Sequence, residues 1–536
     1  MKIRLHIILF AALLLATSCD QEGKDRLDAL QSEADQIAGQ MSATDSPSVE
    51  VDVPGDEPYA FAFDRPRYGV DAAGSVTIKY SLPKPSTVEV FAKDGWSAEV
   101  NAISDTQGEI VVTCPDPAVG SELVAVATDQ NGHSVAVPLN IIVRDPYTDE
   151  TRTTICTMGY YGFKPGVAKL ENFQKLAEAG IDAITVEADE PDYMDQLDMA
   201  YQAGVKCVPV IMYYTERYSI YGDDYKGLEE IITKLKNHPA TMAYHIWDEP
   251  STKNIPTIKM QKEKIEELDP DHPVYVNLNP DGSPGALGVD YYHDYIEAFV
   301  RDCKVKFLSF DMYPMRPETD PDYPDGIVGY WYQCLEAVSN ITKQYGIPFW
   351  AFAASCWINK EQNLFAKPTV ANLRMQAYTN MAYGAQVQQY FTIMQYGGTD
   401  YAPISYDGSW TGAYDTLKEF NLELRKRGYI FDGCKMDRVR YTHVVPFFCQ
   451  RLADKDLPPQ IATLTTAGDA LVSFIENRGN QYVVVCNRSY KDENTLSLDL
   501  NDMVYVIDRE GNFIECAAGT STFEMEAGDM LVIKIK

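Results

Sequence analysis

Two carboxylic acids stand side by side in Asp248-Glu249, after the apolar run Ala243-Tyr244-His245-Ile246-Trp247 and just before Pro250. A carboxyl group whose surroundings raise its pKa works as a general acid, and one kept ionised works as a base, a nucleophile or a stabiliser of positive charge. The run reads as a buried strand, and Pro250, which cannot donate to a ladder, ends it. The plainer reading is that both acids cap the next helix. Two further runs end the same way: residues 306–310 lead into Asp311-Met312-Tyr313-Pro314, and residues 181–186 lead into Glu187, with Asp189 two positions on. Aromatic and amide side chains occupy comparable places: Tyr160, Tyr161, Tyr213, Tyr214, Tyr313, Trp357 and Tyr396, with Asn277, Asn279 and Gln395. Flat apolar faces beside a few polar groups suit a ligand that is both stacked and hydrogen-bonded, though any one such aromatic also serves for packing.

The elements that must carry these residues alternate strand and helix from 150 to 430. Strands are expected at 155–160, 181–187, 207–213, 242–247, 274–278, 306–311, 349–354 and 387–394, with a helix after each. Gly180 and Gly204 mark helix ends by supplying a left-handed residue. Eight strand–helix units in about 280 residues fit one parallel (β/α)8 TIM barrel, whose chemistry sits at the C-terminal ends of its strands. A doubly wound sheet is the alternative, but no Gly-rich phosphate loop occurs in the chain.

Both flanks read differently. Residues 53–146 show short runs of period two, such as Val76-Thr77-Ile78-Lys79-Tyr80, separated by turns at Asp94-Gly95 and Asn131-Gly132. This predicts an N-terminal β-sandwich. Residues 438–536 predict a second one. Ahead of them, Lys2 and Arg4, the apolar stretch 7–16 and Ala16-Thr17-Ser18-Cys19 make residues 1–19 a signal peptide with Cys19 as the lipidated residue. Residues 20–52 read as a polar tether with one short helix. Ten of the eleven cysteines follow Cys19 with no metal-type spacing, so neither a metal nor another cofactor is expected. A net charge of −32 argues against nucleic acid as a partner.

On these residues the barrel resembles the catalytic domain of clan-A glycoside hydrolases, β-galactosidase-like in the broad sense. Asp248-Glu249-Pro250 stands where that clan places Asn-Glu-Pro with its acid/base Glu, Asp311-Met312-Tyr313-Pro314 ends strand six, and 374–391 resembles the passage into strand eight. The N-terminal sandwich resembles the immunoglobulin-like modules of Bacteroidetes polysaccharide-utilisation lipoproteins, and the acidic residues after Cys19 resemble the surface-export signals of such lipoproteins. The resemblance implies glycan hydrolysis with Glu249 as general acid. It also implies a nucleophilic Glu ending strand seven, but that strand ends Ala354-Ser355-Cys356-Trp357, and Glu361 lies beyond it in the loop. Asp248 replaces the clan's Asn.

The second carboxyl is then Asp311, Glu187 or Asp189. Strands four and six face partly across the mouth, which favours Asp311 and an inverting geometry with about 6.5–9.5 Å between carboxyls rather than about 5–5.5 Å. Cys356 is a weaker nucleophile candidate, with no His beside it at a strand end. Substrate-binding residues are expected at Tyr160, Glu187, Tyr213, Asn277, Tyr313, Trp357, Gln395 and Tyr396. Three functions follow: a hydrolase of an oligosaccharide or polysaccharide, a catalytically inactive barrel that binds surface glycans, or a scaffold for another protein, which the aromatic rim disfavours. The chain is expected at the outer membrane, held by the Cys19 lipid alone. Cys19→Ala should therefore move the protein from the membrane to the soluble fraction of cells, with unchanged partition as the contrary result.

Overall fold

The computed structural model describes residues 62–63, 68–70, 74–92, 95–115, 123–139, 141–143, 155–281, 284–317 and 319–535. The signal peptide, Cys19, the tether and Asp94 lie outside the described residues. Among those described, no helix is long and apolar enough to cross a membrane.

Residues 156–391 supply eight strands hydrogen-bonded in sequence order into a closed barrel. They are Cys156–Gly159, Ala183–Glu187, Lys206–Val210, Tyr244–Asp248, Val274–Leu278, Leu308–Phe310, Phe349–Ala354 and Val387–Phe391. Each is a short apolar run buried on both faces, as a parallel sheet covered by helices requires. An inner layer of Met158, Tyr160, Val208, Tyr275, Phe307, Trp350 and Phe352 fills the lumen. The outer faces join the helices in one large apolar core.

Strand three is shorter than the sequence suggests. It ends at Val210, and Met212–Tyr221 forms a helix directly after it. Tyr213 and Tyr214 therefore lie on a helix, not at a strand end. In Met-Tyr-Tyr-Thr-Glu-Arg-Tyr-Ser-Ile-Tyr only Thr215 is buried, so no apolar stripe of period 3.6 announces the helix.

The N-terminal sandwich sets a sheet of Ala62–Phe63, Ser75–Ser81, Ser97–Ser104 and Gln107–Thr113 against one of Ser86–Ala92, Leu123–Asp129 and Ser134–Pro138. Its core holds Ile78, Ile110, Val112, Ala125 and Trp96. Trp96, reached through a left-handed Gly95 (φ +83°), is 5% exposed and so packs inward. The C-terminal sandwich pairs a six-stranded sheet with a three-stranded one. One face of the larger sheet, with Leu471, Ile475, Tyr482, Val484, Met530 and Val532, belongs to the same apolar core as the barrel.

Helix Val370–Ala382 lies between the barrel and that sheet and is buried on nearly all sides. Its polar residues are used structurally. Gln376 Oε1 accepts from the Ala354 N–H at 3.0 Å, and Asn380 Nδ2 donates to Phe352 O and Gln388 Oε1. Gly528 crosses the helix so closely that a Cβ there would strike the Ala371 carbonyl. Arg427, fully buried, joins helix Gly412–Arg427 to the sandwich through Asp529 at 3.1 Å and to helix Val370–Ala382 through Tyr378 OH at 3.0 Å.

These shared and separate cores set different costs for the two flanks. Removing 438–536 uncovers part of the barrel's own core and strips Arg427 of Asp529, and breaking a buried ion pair alone costs about 3–5 kcal/mol. Removing 20–145 leaves that core intact. Expression trials should give a soluble, cooperatively unfolding barrel from the second deletion and aggregate from the first; equal tolerance would contradict this.

Candidate active site

Strand four does not alternate regularly. His245 pairs with Tyr275 and Trp247 with Val276, so Ile246 is the extra residue of a β-bulge. Ile246 and Trp247 both pack outward in the core shared with the helices, while His245 faces Tyr160 and Tyr275 in the lumen. The bulge thereby returns Asp248 to the inner side, which strict alternation from His245 would deny it. Asp248 then lies beside Asn277 on strand five and accepts from its Nδ2 at 3.1 Å.

The amide of Asn277 is oriented from below. Ser309 Oγ donates to Asn277 Oδ1 at 3.1 Å, Gln389 Nε2 donates to Ser309 Oγ at 2.9 Å, and Tyr275 OH donates to Gln389 Oε1 at 2.8 Å. Every member is buried. With its oxygen committed to Ser309, Asn277 presents its NH2 to the carboxyl groups. The Tyr160 hydroxyl lies 3.5 Å from His245 Nδ1 and, near Asp248, also favours its charged form. Burial raises the pKa of Asp248, and these two groups pull it back toward the charged form.

Glu249 is the next residue and faces solvent at the rim. Its backbone is left-handed (φ +46°), a conformation that costs a non-glycine residue about 1–2 kcal/mol. The surroundings impose it. Glu249 N–H donates to Asn277 O at 2.8 Å, Asn279 Nδ2 donates to Glu249 O at 2.8 Å, and Tyr295 OH donates to Pro250 O at 2.6 Å. Strain held this firmly beside a carboxyl pair marks a functional position. Partial loss of water raises the Glu249 pKa, and the charge of Asp248 raises it further.

Asp311 follows strand six and is largely buried. It is 7% exposed, and its Oδ1 is sealed from solvent with no hydrogen-bond partner. Burial, then the charges of Glu249 and Asp248, push its pKa well up, against a hydrogen bond from Asn277. With one oxygen closed off and its pKa raised, Asp311 is held toward the neutral form. Asp248 and Asp311 both bond the Asn277 amide, and burial, then the charges of Glu249 and Asp248, favours the neutral form of Asp311.

The aromatic candidates divide. Tyr161 stacks on Tyr396 at 4.1 Å and 21° and stands edge-on to Phe391. Tyr313 packs on Phe391 at 5.2 Å. The charge of Asp248 acts on Tyr160, Tyr161, Tyr313 and Tyr396 alike, so these four form the wall of the carboxyl site. Trp357 sits on a short strand, Trp357–Ile358, with its indole N–H bonded to Phe365 O at 2.9 Å. Gln395 is spent on its own loop, donating to Thr399 O at 3.0 Å. Tyr213 is 44% exposed with Arg217 over its ring, outside this wall. Tyr214 reaches Ala188 O at 3.4 Å, and Asn279 serves the backbone of Glu249 and Pro250.

Glu187 ends strand two, half-buried, its pKa raised to about 7 by burial and then by the charges of Asp189 and Glu190. Asp189 itself is exposed. Cys356 is fully buried, its thiol pushed up to about 12, which removes it as a nucleophile. His245 is buried, and desolvation lowers it to about 3. Its Nε2 lies 3.0 Å from Trp247 O and so carries the proton of the neutral ring. Glu361 is exposed on a single turn. Tyr275, Ser309, Gln389 and Tyr295 were not singled out from sequence. The first three sit two residues before Asn277, Asp311 and Phe391, where period two would have found them.

A cavity of about 870 Å³ lies at the other end of the barrel, between Cys156, Lys206 and Met242 and the sandwich residues Phe63 and Leu82. It touches none of the mouth residues.

No protein-family model matches the chain, and no curated protein matches it. Solved structures do. The β-galactosidase of the psychrophilic Marinomonas ef1 matches with a TM-score of 0.38 and 11% identity over 51% of this chain and 60% of that one. The polyextremophilic β-galactosidase of Halorubrum lacusprofundi matches with a TM-score of 0.38 and 14% identity over 51% of this chain and 58% of that one. A glycosyl hydrolase family 2 member from Bacteroides cellulosilyticus matches with a TM-score of 0.36 and 11% identity, over 88% of this chain and 74% of that one. These neighbours are glycoside hydrolases. The match spans about three-fifths of the first two.

The raised Glu187 pKa has a measurable consequence. Between the unfolded value near 4.5 and the folded value near 7, the folded state binds the extra proton, so stability falls as pH rises through that window. In Glu187→Gln that part of the pH dependence should vanish from urea-melt midpoints measured between pH 4.5 and 7.5. An unchanged pH profile would place the Glu187 pKa near its ordinary value.

Proposed function

We propose that the chain is a glycoside hydrolase whose general acid is Glu249. The observation that carries this reading is the pair Asp248-Glu249 at the C-terminal end of strand four. A bulge turns one carboxyl inward and a strained backbone turns the other to solvent. Glu249 has the properties of a proton donor to a leaving oxygen: it is exposed where a substrate arrives, and its pKa is raised, so part of it stays protonated at higher pH than an ordinary glutamate. Asp248, held by Asn277 and favoured by it toward the charged form, lies beside it to steady positive charge on the sugar. Tyr161, Tyr396 and Tyr313 supply flat faces for pyranose rings. The substrate is an oligosaccharide or polysaccharide, met at the cell surface through a lipid on Cys19.

One observation favours a second reading, a barrel that binds glycans without cutting them. Strand seven ends at buried Ala354, and buried Ser355 and Cys356 follow it, with no carboxyl group among them.

Glu249→Gln separates the two. For the hydrolase, turnover of natural glycans should fall about 10²–10⁴-fold, and aryl glycosides with good leaving groups should lose far less, because their departure needs no proton. A glycan panel that gives binding but no products with the unaltered protein would favour the second reading.

A further inference from the structure

We infer that the sugar cleaved carries an acetamido group at C2, and that this group, not a protein carboxylate, attacks the anomeric carbon. The inference rests on the hydrolase reading and names its substrate class.

The two carboxyls of the mouth belong to consecutive residues, whose Cα atoms are about 3.8 Å apart. They approach a bound sugar from one side. If Glu249 protonates the oxygen leaving C1, Asp248 is not on the opposite face of C1, where a nucleophile or an activated water must stand. Among the described residues, none on strand seven supplies a carboxyl group for that place. The strand's end and the two residues after it offer Ala354, Ser355 and Cys356, all buried. Asp311 is 7% exposed, with one of its carboxyl oxygens closed off from solvent. Glu187 stands next to Asp189 on strand two and is half-buried.

Neighbouring side chains do match neighbouring sugar carbons. With Glu249 at the oxygen on C1, Asp248 falls at the substituent on C2. Asn277 holds it there, and as a carboxylate it only accepts hydrogen bonds. It therefore calls for a donor on C2. A hydroxyl would donate but has no carbonyl with which to replace the missing nucleophile. An acetamido group has both an N–H and a carbonyl oxygen. Tyr160, Tyr313 and Phe391, packed together beside Asp248, offer an apolar surface to its methyl group.

The steps balance without a co-reactant other than water. The acetamido oxygen bonds to C1 as the C1–O bond breaks, and the leaving oxygen takes the Glu249 proton. The bicyclic oxazolinium bears its positive charge at the N–H that faces Asp248. Water then adds to C1, giving its proton to Glu249, and the ring C–O pair returns to the acetamido carbonyl. Attack from the face opposite the leaving group requires a 1,2-trans linkage, which in gluco- and galacto-configured sugars is β.

The test compares 4-nitrophenyl 2-acetamido-2-deoxy-β-D-glucoside and -galactoside with the matching 2-hydroxy β-glycosides, using the unaltered protein. Hydrolysis of an acetamido sugar at least 100-fold faster than its 2-hydroxy partner is expected. The rate should fall stepwise as the acetyl group is replaced by mono-, di- and trifluoroacetyl, which weakens the carbonyl oxygen as a nucleophile. Asp248→Asn should lower kcat on the acetamido substrate at least 100-fold. Equal rates on the two sugar types, or a flat fluorine series, would overturn the inference and leave the hydrolase reading standing. Loss of activity in Glu187→Gln comparable to that in Asp248→Asn would also overturn it, by supplying a base on another strand. No turnover of any glycoside, acetamido or hydroxy, would overturn both.

Discussion

Asn277 bonds the carboxyl groups of Asp248 and Asp311, and its orientation opposes the burial that drives both toward the neutral form. Its NH2 is turned toward Asp248 and Asp311 because Ser309 holds its oxygen, and Ser309 is held in turn by Gln389 and Tyr275. Reversing that amide would set a carbonyl against carboxylates in a buried space, where unmatched polar groups are most costly. The surroundings push the three apart: burial drives Asp311 toward the neutral form, Asn277 steadies Asp248 toward the charged form, and partial loss of water lifts Glu249 toward the acid form at the rim.

That network depends on the barrel's packing. Ser309, Gln389 and Tyr275 stand on strands six, eight and five, so their hydrogen bonds cross the lumen and register with one another only if the barrel closes in one way. Helix Val370–Ala382 fixes strands seven and eight from outside through Gln376 and Asn380, and the C-terminal sandwich holds that helix down. The sandwich therefore acts on the site by fixing the strands, with no contact of its own to Asp248 or Glu249.

Much of this was legible in the sequence, where regular periods carried it. Eight strand–helix units, the flanking sandwiches and the carboxyl pair after strand four follow from runs such as Val274–Leu278 and from Pro250. Strand Ser97–Ser104 was hidden because almost every residue in it is exposed to some degree, leaving no apolar alternation. Helix Met212–Tyr221 was hidden for the corresponding reason. The bulge at Ile246 could not be read, since Ile suits any position of a buried strand. Nor could the left-handed Glu249, because the groups that impose it, Asn277 O, Asn279 and Tyr295, come from later in the chain. The burial of Asp311 is a property of the closed barrel, and a carboxyl at a strand end reads the same whether it faces water or protein.

The arrangement allows one direct test of its central claim, that catalysis runs from the strand-four pair with no protein carboxylate on the far face of the sugar. Proton NMR of the first-formed product, recorded before mutarotation on a β-linked 2-acetamido glycoside, reports the anomeric configuration. The acetamido group attacks once and water attacks once, so two inversions should release the β-anomer. An α-anomer as the first product would mean a single displacement by water, activated by a carboxyl group opposite Glu249, and would contradict the assignment.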